Sequence, residues 1–188
     1  MEEKLKEIFG YVNSWLNHAE AKNGAIIVLN GACVIGLLTL LLGTDYNIHY
    51  LIRIYFIVAL GLLLISTGIS LYSFFPMTGK FETDGEKNDH QNAILMFYGD
   101  IAKCRNSRKY VLSIYKEYFN DTSKTEEDIT KSEEDYAKEI IYNSIITVRK
   151  YTCFKISLML TISAFVSLPI LGIVCAIINV YKAINTVP

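Results

Sequence analysis

Three long stretches of the chain carry no charged residue: residues 23–44, 54–79 and 156–181, of 22, 26 and 26 residues. About 20 apolar residues of helix, rising about 1.5 Å each, cross the roughly 30 Å hydrocarbon core of a bilayer. A core helix of a soluble protein rarely runs so far without a charge. The chain is therefore expected to be an all-α integral membrane protein with three transmembrane helices. Most soluble-enzyme classes are excluded, and the polar block at residues 80–155 becomes the place to look for function. That block is long enough for a small helical domain and short for a self-standing enzyme core.

The net charge of −1 hides an asymmetry: of 18 Lys and Arg residues, 16 lie before residue 23 or within 80–155, and only Arg53 and Lys182 lie elsewhere. Lys and Arg excess marks the cytoplasmic side. With the N-terminus inside and three crossings, residues 1–22 and 80–155 are cytoplasmic. The loop at 45–53 and the tail at 182–188 are outside. No cleaved leader is expected, because the first apolar run follows 22 residues holding four acids and is too long for a signal-peptide core.

Residues 80–155 carry 13 basic and 14 acidic residues, which argues against nucleic acid as a partner. Acidic runs such as Glu126-Glu127-Asp128 and Glu133-Glu134-Asp135 read as solvated helix faces. Cys33, Cys104, Cys153 and Cys175 have no Cys-x-x-Cys pairing and are expected as thiols. The three histidines are scattered, so no metal site and no cofactor is expected. No P-loop, nucleophile elbow, zinc-protease motif or dinucleotide fingerprint is present.

Leu5, Ile8, Phe9, Val12, Trp15, Leu16 and Ala19 form one apolar face, opposite Lys6, Asn13, Asn17 and Glu20. Packing on the cytoplasmic domain, lying flat on the bilayer and contact with another copy all account for it. No turn signal interrupts the path into the first apolar stretch, so one helix over about 3–43 is expected. Asn30, Gly31 and Gly36 in the first span, Gly61 and Gly68 in the second, and Gly172 in the third are candidate helix-packing or oligomer positions. Small residues let backbones approach closely in lipid, and a buried Asn needs an interhelical partner. Pro169 predicts a kink.

Pro76 and Gly79 are expected to end the second span. A polar loop over 80–90 precedes an expected helix at 92–104. Asn106 or Ser107 is the expected cap of the next helix, whose apolar face holds Val111, Ile114, Tyr115, Tyr118 and Phe119. Thr125 and Asp128 suggest a helix start. Ile129, Tyr136, Ile140, Asn143, Thr147 and Tyr151 trace a roughly heptad stripe. A single helix over about 126–182, roughly 85 Å long, is expected to couple the cytoplasmic block to the membrane.

Two basic clusters stand out. Lys103, Arg105, Arg108 and Lys109 crowd a helix junction, where either a solvated surface or a phosphate-bearing ligand explains them. Arg149, Lys150 and Lys155 lie where the last helix meets the third span, as expected for lipid headgroup contact.

Trp15-x-x-His18-Ala19-Glu20-Ala21-Lys22, running into Leu29-Asn30-Gly31-Ala32, resembles the N-terminus of the Pycsar effector transmembrane family. That family carries an Ala-Asp-x-Lys-Ala-type motif before the first span; here Glu20 replaces the Asp and Asn23 follows Lys22. The run from Asn92 through Phe97-Tyr98-Gly99-Asp100-Ile101-Ala102 is similar to the family's Phe-x-Gly-x-Ile-Ala segment. Ile140, Ile141, Asn143, Ser144 and Lys150-Tyr151, leading into the last span, are a third similarity.

The resemblance implies a non-enzymatic antiphage effector of the bacterial inner membrane. A partner nucleotide cyclase would make a cyclic pyrimidine mononucleotide, or a cyclic oligonucleotide as in CBASS systems. The effector would sense it in the cytoplasm and impair the membrane as a homo-oligomer, ending in abortive infection. Together with the residues, the resemblance implies base stacking on Phe97, Tyr98 or Tyr110 and phosphate contact at Arg105 or Arg108, with Lys109 beside them. Core packing of Phe97 and Tyr98 is the alternative. Two rival functions remain: an accessory membrane protein, which predicts no messenger-dependent permeability, and a membrane-bound enzyme, which predicts turnover abolished by carboxylate substitutions.

Overall fold

The computed structural model describes residues 1–43, 50–77 and 94–185. All regular structure among them is helical: α1 (Glu2–Leu42), α2 (Tyr50–Tyr72), α3 (Tyr98–Ile101), α4 (Ser107–Phe119), a 3-10 turn (Glu126–Asp128) and α5 (Lys131–Asn185). Helix α1 runs unbroken because nothing in its sequence interrupts the ladder, and Glu2 and Glu3 place negative charge at its positive end. The expected outer loop at 45–53 shortens, since α2 already begins at Tyr50; residues 44–49 and the expected loop at 80–90 lie outside the described residues.

Helix α2 stops at Tyr72 rather than near Gly79, and residues 73–75 form a turn. Pro76 explains this: continued helix would drive its ring into the Tyr72 carbonyl and offer no N–H in return. The helix expected over 92–104 is reduced to the single turn α3, Asn92 itself lying outside the described residues. The Asp100 carboxylate captures the Ile94 N–H at 3.2 Å, and Phe97 takes an extended conformation, so residues 94–97 turn instead.

Asn106, one of the two expected caps, accepts from the Arg108 and Lys109 N–H groups at 2.9 and 3.1 Å. Asn120, in the left-handed conformation at φ 52°, closes α4 by donating to the Tyr115 carbonyl. Helix α5 begins at Lys131, five residues later than expected. The Asp128 carboxylate folds back onto Thr125, and Ile129 is extended. A second reciprocal pair then starts α5, with Thr130 N–H donating to Glu133 at 3.0 Å and Glu133 N–H to the Thr130 hydroxyl at 3.3 Å.

The chain divides into two compact units. The first comprises Met1–Lys22 and Ser73–Thr152, the second Asn23–Tyr72 and Cys153–Pro188. The first has an apolar core of the soluble kind. Leu5, Ile8 and Val12 of α1 pack with Tyr110, Val111 and Ile114 of α4 and Ile140 of α5. Of the apolar face of the N-terminal segment, Leu5, Ile8, Val12 and Ala19 are buried, while Phe9 and Leu16 are partly so and Trp15 is exposed. The α5 line in this core is Ala137, Ile140, Ser144 and Thr147. Tyr136 from the expected stripe stands edge-on to Phe9 at 6.4 Å, and Asn143 donates to Asn13 at 3.0 Å.

The second unit reverses the usual distribution. Asn30, Ser66, Ser157 and Thr161 are buried, while Val28, Ile35, Ile57, Leu64, Ile65, Met159 and Phe165 are exposed. In water that arrangement would leave an apolar surface far beyond what monomers tolerate; in lipid it places Asn30, Ser66, Ser157 and Thr161 where they find one another. Pro169 and Gly172 fall on α5, where their surroundings lie outside the described residues.

Candidate functional site

Within the first unit, three segments far apart in sequence converge on an aromatic cluster. Trp15 comes from α1, Tyr98 from α3 and Tyr151 from α5. The Tyr98 and Tyr151 rings stack at 5.4 Å with 20° between planes. Trp15 lies 5.6 Å from Tyr98 and 6.3 Å from Tyr151. Phe97 adds a ring 4.6 Å from Tyr98. Gly99 allows this: a Cβ there would come within 2.5 Å of the Phe97 ring.

Beside the cluster opens a cavity of ≈ 420 Å³ lined by Tyr11, Ser14, Trp15, His18, Lys22 and Tyr151. Tyr11, Trp15, His18 and Lys22 follow one another at i, i+4, i+7 and i+11, which is one face of α1. That face is distinct from the buried line of Leu5, Ile8, Val12 and Ala19, and Trp15 is 42% exposed rather than core. The Lys22 ammonium lies 5.1 Å from the centre of the Tyr151 ring, a cation–π contact. Burial pushes the Tyr98 and Tyr151 hydroxyls above the ordinary tyrosine value, so both phenols stay neutral. The Tyr151 hydroxyl oxygen is itself buried and has no hydrogen-bond partner among the described residues.

Next to the cavity, Lys150 is 8% exposed and pairs with Glu20 at 3.0 Å. Lys150 also lies over the Phe74 ring at 5.0 Å. This corrects the expectation that Lys150 meets lipid headgroups. It also gives the acid at position 20 a structural reason.

Of the expected ligand contacts, Phe97 and Tyr98 belong to the aromatic cluster. Arg108 is turned elsewhere: its Nε and Nη2 donate to Glu134 at 3.2 and 3.0 Å. Lys109 uses its backbone N–H on Asn106, and Arg105 is exposed. Tyr110 is wholly buried, its hydroxyl donating to the Leu95 carbonyl at 2.7 Å. The sequence reading missed His18 and Lys22 as neighbours of Trp15. Their spacing was the available signal, masked because Trp15 was assigned to the adjacent apolar stripe.

In the second unit, Asn30 is the centre of a hydrogen-bonded core. Its Nδ2 donates to Ser66 Oγ at 2.9 Å, and its Oδ1 accepts from Thr161 Oγ1 at 3.0 Å. Ser66 and Thr161 lie 2.9 Å apart, Ser66 Oγ donates to the Ser157 carbonyl at 2.8 Å, and Ser157 Oγ returns a bond to the Ser66 carbonyl at 3.0 Å. The glycines expected at helix contacts behave differently. A Cβ on Gly31, Gly36, Gly61 or Gly68 would meet nothing within 4 Å. Gly36 instead borders an apolar cavity of ≈ 690 Å³, together with Cys33, Leu40, Phe56, Leu63 and Phe165.

Among the described residues no group of acids, histidines or cysteines could hold a metal ion. Burial, then the charge of Asp100, pushes the Cys104 thiol up to about 12, which makes it a packing group rather than a nucleophile. Helices α1 and α2 are each long and apolar enough to cross a membrane. Soluble-type packing in one unit and inverted packing in the other define a helical membrane protein. Residues 4–178 match the Pycsar effector protein domain, and the chain belongs to that family of antiphage membrane effectors. The family implies a cyclic-nucleotide signal made by a cyclase. Neither a curated protein nor a solved structure matches the chain.

Proposed function

We propose that this effector senses a cyclic nucleotide through its first unit and, on binding, impairs the bacterial inner membrane through its second. The chain crosses the bilayer three times, by α1, α2 and the 156–181 portion of α5. Residues 1–22 and 80–155 face the cytoplasm, where the cyclase product accumulates. Membrane damage ends the infection before phage release. A homo-oligomer performs it, because three helices hardly enclose an aqueous path, and Gly31, Gly36, Gly61 and Gly68 offer close approach to another copy.

The observation that carries this reading is the inverted packing of the second unit, with Asn30, Ser66 and Thr161 inside and Ile35, Leu64 and Phe165 outside. Such a unit is stable in lipid and holds, in its core, polar groups that a rearranged assembly could turn toward water. The test is a membrane-potential dye in bacteria expressing the chain with cyclic-mononucleotide or cyclic-oligonucleotide cyclases, one at a time. Depolarisation is expected with one active cyclase and not with its catalytically dead form. Absence of any response, with insertion and messenger production verified, would return the chain to the accessory-protein reading.

A further inference from the structure

We propose that the cavity beside Trp15, His18, Lys22 and Tyr151 is the messenger site, and that it takes a single cyclic nucleotide with its base on Trp15 and its phosphate at Lys22. The proposal rests on the sensing reading above and assigns it a place in the fold. Three observations carry it. The cavity is ≈ 420 Å³, toward the lower end of the roughly 300–1,000 Å³ of small-ligand pockets, which suits one nucleotide rather than a ring of two or more. Its wall is aromatic, and an aromatic face is the general platform for a nucleobase. Trp15 offers that platform from the surface, being 42% exposed, while the stacked Tyr98 and Tyr151 pair fixes the ring from behind. Finally, Lys22 supplies a cation and His18 a ring nitrogen on the same helix face as Trp15, and the Lys22 ammonium stands 5.1 Å from the Tyr151 ring, itself 6.3 Å from Trp15.

The site also gives a physical account of why three distant segments must meet. Trp15, His18 and Lys22 come from α1 and Tyr151 from α5, with Tyr98 of α3 stacked on Tyr151 behind them, so no one segment builds it alone. The Lys150–Glu20 pair, at 3.0 Å, clamps α1 and α5 next to it. A phosphate beside a Lys that directly precedes the charge-free stretch at 23–44 has the same chemistry as a lipid headgroup. That shared chemistry must be separated by experiment.

The protein holds one tryptophan, so Trp15 reports on its own site. The full chain is placed in nanodiscs of zwitterionic lipid and titrated with cyclic CMP, cyclic UMP and a cyclic dinucleotide, following Trp15 fluorescence and radiolabelled nucleotide retention together. Saturable quenching by a cyclic mononucleotide is expected. Loss of one stacking platform in W15A is expected to weaken retention roughly ten-fold or more, and K22A is expected to weaken it likewise. Retention with unmoved fluorescence and unchanged affinity in W15A and K22A would overturn the site while leaving cyclic-nucleotide sensing intact. Tighter binding of the cyclic dinucleotide would overturn the ligand size. Quenching on transfer to phosphatidylglycerol nanodiscs that no nucleotide reverses would assign the cavity to a headgroup and overturn the proposal. No retention of any cyclic nucleotide by the wild-type chain would overturn the sensing reading itself.

Discussion

Asn30 and Thr161, 131 residues apart, are joined in the middle of the second unit: Thr161 Oγ1 donates to Asn30 Oδ1 at 3.0 Å. The same Asn30 amide donates to Ser66, so one side chain ties together α1, α2 and α5. Interhelical hydrogen bonds in lipid contribute about 0.6 kcal/mol on average and up to about 1.7. N30A removes two of them and is expected to cost about 1–2 kcal/mol in equilibrium unfolding from mixed micelles. T161V, nearly isosteric, should cost less. The double variant should show coupling; strict additivity would mean the Asn30–Thr161 bond contributes nothing.

Helix α1 gives a second comparison within one element. Ile8 is fully buried in the first unit and Ile35 is 68% exposed in the second. I8A empties packed volume and is expected to cost about 2–5 kcal/mol. I35A removes a side chain that no core surrounds and should change stability by less than about 0.5 kcal/mol. Thermal unfolding in detergent checks both. A small I8A effect coupled to weaker membrane association would restore the alternative in which the N-terminal segment lies on the bilayer.

Acid should weaken the first unit through Glu134. Hydrogen bonds from Lys138 and Arg108 hold its carboxyl at about 2, against an ordinary 4.5. A carboxyl depressed by folding adds stability above its unfolded pKa, and the addition is lost as pH falls through the folded value. The window is therefore from about 4.5 down to about 2. Glu133 adds in the same direction: burial pushes its carboxyl up, but hydrogen bonds from Tyr115 and Thr130 overcome that and hold it below the ordinary value. E134Q should flatten part of the fall in melting temperature across this window, leaving the Glu133 share. An unchanged profile would show that Glu134 titrates normally.

How much of this could be read from sequence depended on whether the cause was local. The charge-free runs gave the membrane class because hydropathy needs no tertiary partner. Asn106 as a cap was legible because its side chain reaches only two and three residues ahead. The early stop of α2 followed from Pro76, four residues on, although the sequence reading carried the span to Gly79. The shortened helix at 92–104 was not legible, because its apolar spacing suits a helix and only the Asp100 contact with Ile94 breaks it. The aromatic cluster was the least legible part. Periodicity reports which residues share a face, not which faces meet, so Trp15, Tyr98 and Tyr151 stood as three separate similarities until folded together. Asn30, by contrast, announced its need for a partner, and only the identity of Ser66 and Thr161 was hidden.

The two basic groups make opposite predictions about the phosphate. Lys103, Arg105, Arg108 and Lys109 are dense in charge, but Arg108 is held to Glu134 through Nε and Nη2, with Glu134 also bonded to Lys138. Using Arg108 for a ligand would first break that pair. Lys22 lies on the aromatic wall itself, its ammonium 5.1 Å from the centre of the Tyr151 ring. The double variant R105A/R108A is therefore expected to retain wild-type affinity for a cyclic mononucleotide in nanodiscs. Its stability should fall by no more than about 1 kcal/mol, since Arg108 is half-exposed and its pair is a surface one. Retained binding with a slightly lower melting temperature is the outcome the geometry favours. A loss of affinity at unchanged melting temperature would move the phosphate to the α3–α4 junction and leave the Trp15 cavity, at most, to the base.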